Sequence, residues 1–235
     1  GVGVAAIAGT LLTALSPAKQ DTVNPGPLPA AQVPSDSGRS LAAGRLPHQV
    51  DDLRLGEPMD RLKAQLEQLV TLTPGLSPTL FSVDLDNGHY VDLQGSQALP
   101  AASTIKMPIL VAFLQQVDAG TLALNQTLAL RDSQVASGSG TMANDAIGTE
   151  YSAMEVASRM IIHSDNTATN MLIDRVGMDP VNAHMASLGL PNTKLRRKMI
   201  RQDEQANGNE NVSTPREAAD LMARSEEHTS ELQSP

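Results

Sequence analysis

A chain of 235 residues with 40% hydrophobic content can build one domain with a substantial core plus an extension. Its formal charge of −9 and its few rings (Phe81, Tyr90, Phe113 and Tyr151) exclude the basic, aromatic surface of a nucleic-acid binder, so no nucleic-acid partner is expected. The histidines are scattered without ligand spacing and no glycine-rich loop ends in Gly-Lys-Ser or Gly-Lys-Thr, so no metal, nucleotide or other cofactor is expected.

The first fifteen residues, Gly1 to Leu15, are apolar and uncharged. They fall short of the about 20 residues that a spanning helix needs. Residues 1–18 therefore read as the remainder of a signal peptide or membrane anchor, with Ser16-Pro17-Ala18 as a small-residue cleavage site. Export to the periplasm or cell envelope follows, and the absence of cysteine is compatible with it. Residues 19–50, rich in Pro, Ser, Ala and Gly without periodicity, read as an extended linker.

A domain over 51–223 comes next. From Pro58 to Leu72 the apolar residues Met59, Leu62, Leu66, Leu69 and Val70 recur at helical spacing, with Lys63 and Glu67 as an outward i,i+4 pair, and Pro74-Gly75 ends the helix. Thr79 to Asp86 alternates, placing Phe81, Val83 and Leu85 on one face. Asp86-Asn87-Gly88 then turns the chain into His89–Gly95, where Val91 and Leu93 are expected to continue that face.

Ser103-Thr-Ile-Lys106 enters the apolar run Met107–Leu114. On a helix, positions i and i+3 share a face, so Lys106 would lie one turn from Ser103 and within reach of its hydroxyl. A serine hydroxyl needs a nearby base to act as a nucleophile, and a lysine serves if burial lowers its pKa. With Ser103 opening the helix, its own N–H would be free to bind a developing oxyanion. Ser-x-x-Lys alone is a weak signal, because Ser16-Pro-Ala-Lys19 matches it as well. Order and context strengthen the second copy: Ser164-Asp165-Asn166 lies 61 positions later (164 − 103), in a turn between two helical patterns. Ser152-Ala-Met-Glu155 is a capping box opening a helix to about His163, itself read as a helix-end residue, and Asp179-Pro180 and Thr214-Pro215 read as N-caps followed by proline. Met154, Met160 and Met171 are expected in the core.

From about Leu53 to Met222 these residues resemble the class A serine β-lactamases and the related penicillin-binding proteins. The likeness lies in Ala101-Ala-Ser-Thr-Ile-Lys-Met-Pro108, Gly138-Ser-Gly140, the stretch from Met160 to Asn170 and Ser213-Thr-Pro-Arg-Glu217. The resemblance implies an α+β fold of the α/β sandwich type, an antiparallel sheet beside an all-helical half, with only an N-terminal hairpin of that sheet present. It also implies that Ser103 is the acylated nucleophile, that Lys106 takes part in proton transfer, that Ser164 relays a proton to the leaving nitrogen and that Asn166 binds the substrate's amide. Asp165 is read as a structural link that fixes the turn.

Two departures stand out. Where the family carries its deacylating glutamate, counting along Arg197-Lys-Met-Ile-Arg-Gln-Asp-Glu204 gives Met199, leaving Asp203, Glu204 and Glu210 as substitutes. None of the lysines, at 19, 63, 106, 194 and 198, begins a Lys-Thr-Gly or Lys-Ser-Gly. Residues 224–235 are similar to a translated sequencing-library adapter and read as a non-native tail on a truncated domain, which is expected to be aggregation-prone and catalytically impaired. The expected activity is that of a β-lactamase-like serine hydrolase on β-lactam amides. The alternatives are a penicillin-binding D-alanyl peptidase or esterase acting on a peptidoglycan-like substrate, and a noncatalytic cell-envelope binding domain. A monomer is expected.

Overall fold

The fold is α+β, and in this computed structural model residues 53–200 and 207–232 are described, with side chains as far as Arg224. The expected signal or anchor segment 1–18, the linker 19–50, and Asp203 and Glu204 lie outside the described residues. Among the described residues no helix is long and apolar enough to cross a membrane.

The first helix, α1 (Asp60–Thr71), forms where the apolar spacing places it, and Gly75 turns the chain at φ 88°. Its stripe is shallow, since none of its residues is buried and Leu69 remains 60% exposed. Lys63 and Glu67 both face solvent as expected, yet they form none of the ion pairs found among the described residues.

The hairpin β1 (Leu80–Val83) and β2 (Tyr90–Leu93) forms as expected, with a different facing. Phe81 lies opposite Asp92, Ser82 opposite Val91 and Val83 opposite Tyr90. Directly paired residues project to the same side, so Phe81 and Val83 share their face with Tyr90 and Asp92, while Val91 and Leu93 lie on the other. One residue of register decides this, and both faces are covered: Phe81 is 0% and Val91 2% exposed. Leu85, expected on the core face, falls beyond the end of β1 and is 45% exposed.

Four further strands, too short to show an alternating pattern, make two more antiparallel ribbons. Leu99–Pro100 (β3) pairs with Val212–Ser213 (β6), and Thr127–Ala129 (β4) pairs with Glu150–Ser152 (β5). Each is a separate sheet, so among the described residues the expected sheet still holds only the hairpin; sequence reading did not single out the two extra ribbons, because two- and three-residue strands carry no period for a sequence to display.

The main core is helical. Helix α2 (Lys106–Asp118) carries Ile109, Ala112 and Phe113 into a cluster with Val156 and Met160 of α3 (Ala153–Ile162) and with Met171 and Leu172 of α4 (Asn166–Val176). Complete burial of each large side chain contributes about 1.5–3 kcal/mol. Pro108 is accommodated because it stands in the first turn, where its missing N–H has no partner to lose. Met160 and Met171 are buried as expected, whereas Met154 is 52% exposed on the outer side of α3.

Helix α3 starts at Ser152, whose hydroxyl accepts from the Glu155 N–H at 3.1 Å, and ends at His163; only this half of the expected capping box forms, the Glu155 carboxylate accepting from Arg159 at 2.8 Å instead. Helix α5 (Met178–Ser187) begins two residues earlier than the Asp-Pro signal suggests. Its cap is Gly177 at φ 91°, which places Asp179 in the first turn instead of at the N-cap. Helix α6 (Pro215–Leu232) has Thr214 as its cap, donated to by the Glu217 N–H at 3.1 Å.

Phe81, Val83 and Ala219 of α6 form a second small cluster, with Tyr90 stacked on Phe81 at 6.1 Å and the Arg216 guanidinium over the Phe81 ring at 5.2 Å. Phe81→Ala should therefore lower stability by about 3–5 kcal/mol through loss of buried ring and the cavity left behind. Urea unfolding measures this, and a loss below about 1 kcal/mol would contradict the packing of the ribbon on α6.

Candidate active site

The β3–β6 ribbon and a hydrogen bond from the Ala101 N–H to the Asn211 carbonyl (2.8 Å) deliver the chain into a tight 3₁₀ turn, Ala102–Ile105. Ser103 thus lies in this turn, one step before the α-helix that the sequence assigned it to open. The turn is entered through Ala102 at φ 46°, a left-handed backbone that costs a residue bearing a Cβ of order 1–2 kcal/mol. Thr104 is the first residue whose N–H finds a carbonyl inside the turn, that of Ala101 at 3.0 Å. The Ser103 N–H, one residue earlier, makes no hydrogen bond among the described residues and remains available to an acceptor beside its exposed hydroxyl.

Lys106 begins α2 and is 3% exposed. Its Nζ donates to the Ser164 carbonyl, to the Ser164 hydroxyl at 2.8 Å and to Asn166 Oδ1 at 3.0 Å. A buried ammonium is tolerated only with such acceptors. Burial nonetheless brings the amine down to about 8, with the nearby charge of Asp165 working against the shift.

The link between Lys106 and Ser103 differs from the sequence expectation. It runs through Ser164, whose Oγ lies 3.2 Å from Ser103 Oγ, so the hydroxyl pair and the amine form a three-member chain instead of a direct contact. Since hydroxyl hydrogens rotate, this chain can be polarised in either direction.

Ser164 reaches this position by adopting φ 52° between α3 and α4. Asp165 then caps α4, one carboxylate oxygen accepting from the Ala168 N–H (2.9 Å) and the other from the Thr141 and Met142 N–H groups (2.8 and 3.0 Å). This carboxylate, 1% exposed, ties the triplet to the Gly138-Ser-Gly140 loop. The loop closes over it: the Asn166 N–H donates to the Ser139 carbonyl at 3.0 Å, and a Cβ on Gly140 would come within 2.1 Å of the Asp165 side chain. Asn166 itself is 5% exposed, bonding Lys106 through Oδ1 and the Ser137 carbonyl through Nδ2 at 3.0 Å. Each of those amide atoms retains one further hydrogen-bonding position for a ligand.

The segment carrying Met199 is held by three asparagines that sequence reading did not single out. Asn170 accepts from the Met199 N–H at 2.7 Å, Asn182 from the Leu195 N–H at 2.8 Å, and Asn211 from the Arg196 and Arg197 N–H groups at 2.7 and 3.0 Å. The one available signal was spacing, since Asn170 follows Asn166 by one helical turn. Met199 is 8% exposed and packs into the main core. Glu210, a candidate substitute for the glutamate, accepts on both carboxylate oxygens from Arg197 Nη2, at 2.9 and 2.7 Å. A carboxylate paired in this way is not free to act as a base.

A model of the beta-lactamase enzyme family matches residues 61–230. The chain belongs to this family. Among curated proteins it is similar to beta-lactamase AER-1 of Aeromonas hydrophila, at 28% identity over 49% of this chain and 38% of that protein. It is also similar to a beta-lactamase of Rhodobacter capsulatus, at 30% identity over 48% of this chain and 38% of that one. These matches span about two fifths of the relatives' lengths. Among solved structures it resembles PBP-A, with a TM-score of 0.68 and 39% identity over 73% of this chain and 63% of that one. An acyl-enzyme complex of a PBP-A mutant with penicillin G matches with a TM-score of 0.67 at the same identity and coverage.

The turn at Gly140, at φ 95°, supplies a direct test. Gly140→Ala forces both a disfavoured backbone and a collision with the Asp165 carboxylate, at an expected cost of at least about 2 kcal/mol. Calorimetry should show a fall in Tm of roughly 5 °C or more, and an unchanged Tm would refute the close approach.

Proposed function

We propose that this protein is a serine acyl-transfer hydrolase that opens β-lactam amides by forming an acyl-enzyme on Ser103. The observation that carries this reading is the unbroken hydrogen-bond chain Ser103–Ser164–Lys106, ending on a buried amine whose pKa has been lowered to about 8.

Family membership supports serine hydrolase chemistry in general, and the chain's own residues supply the steps. As Ser103 Oγ bonds to the carbonyl carbon, its proton passes to Ser164 Oγ while the Ser164 proton passes to the neutral Lys106 amine. The resulting ammonium is held by the Ser164 carbonyl and Asn166 Oδ1. The carbonyl π electrons move onto oxygen, which the free Ser103 N–H faces. Collapse of that intermediate breaks the C–N bond, and the departing nitrogen takes the Ser164 proton as Lys106 returns one to Ser164. Asn166, with its spare hydrogen-bonding positions, is suited to the substrate's side-chain amide.

Release of the acyl group needs a base to activate water. Among the described candidates, Met199 cannot serve because a thioether accepts no proton usefully, and Glu210 is committed to Arg197. This favours a second reading, in which the same nucleophile belongs to a penicillin-binding D-alanyl peptidase or esterase that β-lactams block by persistent acylation. Action in the cell envelope is part of both readings.

Mass spectrometry after incubation with penicillin should find one adduct, on Ser103, which disappears in Ser103→Ala. An adduct elsewhere, or none, removes the proposal. Lifetime separates the two readings: minutes or less for a β-lactamase, hours for a penicillin-binding enzyme.

The acylation rate should also follow the neutral fraction of Lys106. With a pKa of about 8 that fraction is about a tenth at pH 7 and nine tenths at pH 9, so the rate should rise roughly tenfold between them. A rate flat across this interval would show that the amine is not the proton acceptor.

A further inference from the structure

One face of α4 carries Asn166, Asn170 and Asp174, at i, i+4 and i+8. Asn166 holds Lys106 and the Ser137 carbonyl. One turn on, Asn170 donates to the Gln134 carbonyl at 3.1 Å and accepts from the Met199 N–H. A further turn on, Asp174 receives the Lys198 ammonium on one oxygen at 2.6 Å and Gln134 Nε2 on the other at 2.9 Å. The stripe thus stitches two separate segments, 131–137 and 197–200, to the helix whose first residue holds the lysine of the proton chain. Gln134 is itself 3% exposed, its Oε1 accepting from the Arg131 N–H at 2.9 Å.

We propose that Asp174 and Lys198 are positioning residues for acylation: their ion pair, with Asn170, latches the Met199 segment against α4 one turn from the Lys106 anchor. Among the described residues neither Asp174 nor Lys198 hydrogen-bonds Ser103, Lys106 or Ser164, so the pair acts on the reaction through placement of the segment.

Two features make a latch necessary. Among the described residues the segment has no strand partner at Met199, and the Asn170 amide stands in for one. The next residue, Ile200, is β-branched and held at φ 55°, a conformation that persists only where its surroundings over-determine it. The ion pair is partly shielded, its side chains being 18% and 22% exposed, which sets it apart from a freely solvated surface pair.

The catalytic half of this inference rests on the acyl-enzyme reading, so the experiment has two independent readouts. Asp174→Asn removes the charge while keeping an oxygen for Gln134 Nε2, and Lys198→Met removes the other partner. In each variant, amide hydrogen exchange at Met199 should accelerate at least tenfold while the urea midpoint stays near that of the parent protein.

The second-order rate of Ser103 labelling by a fluorescent penicillin should fall about tenfold, with the pH midpoint still at about 8. The double variant should be no worse than either single one, and Lys198→Arg should restore both exchange and labelling. Unchanged Met199 exchange overturns the latch. Faster exchange with undiminished labelling overturns its role in acylation, as does a fall in rate that Lys198→Arg fails to restore. If the parent protein takes no label, the acyl-enzyme reading has failed and the exchange result alone decides the latch.

Discussion

Much of this structure follows from keeping the Lys106 amine out of water. A buried ammonium requires acceptors at fixed positions, and the chain supplies them from the turn between α3 and α4 through Ser164 and Asn166. That requirement dictates a left-handed backbone at Ser164, a capping aspartate at 165 and a glycine loop close enough to share its carboxylate. The same burial lowers the pKa of the amine to about 8, so one packing decision serves both architecture and chemistry.

Two strained residues set the Ser103–Ser164 hydroxyl pair. Ala102 precedes Ser103 with a positive φ, and Ser164 has one itself. The first aims Ser103 out of its turn and the second brings the Ser164 hydroxyl between Ser103 and Lys106. Neither residue is the glycine that such a backbone prefers, so the surrounding contacts must hold both in place. Those contacts are the β3–β6 ribbon on one side and the Asp165 cluster on the other.

The sequence exposed the parts of the fold with a period or a cap. Helices α1 and α3, the hairpin and the Thr214 cap were readable because hydrophobic spacing and capping chemistry are local. That Ser103 and Lys106 come together with the 164–166 triplet was readable from the order and context of the two motifs. What stayed hidden depends on contacts across the chain. One residue of register turned Val91 away from Phe81, a difference that the hairpin's alternation alone does not fix. The relay through Ser164 was invisible because helical spacing gives which face two residues share, not whether a third side chain comes between them. The clamping asparagines and the Arg197–Glu210 pair were likewise beyond reach, since polar residues in an irregular stretch read as solvated until their partners are placed.

The asparagine clamps carry a consequence for how this part of the molecule changes. Amide side chains hold the backbone of residues 195–199, while Leu195 and Met199 turn into the main core and Arg197 and Lys198 pair with Glu210 and Asp174. Because the amides grip peptide groups, the course of the backbone does not depend on which side chain stands at 199, while the core that Met199 packs into favours an apolar one. A lineage built on this framework could exchange the inert thioether for a water-activating group on the same backbone course, moving from long-lived covalent capture towards rapid turnover at the cost of apolar contacts in the main core.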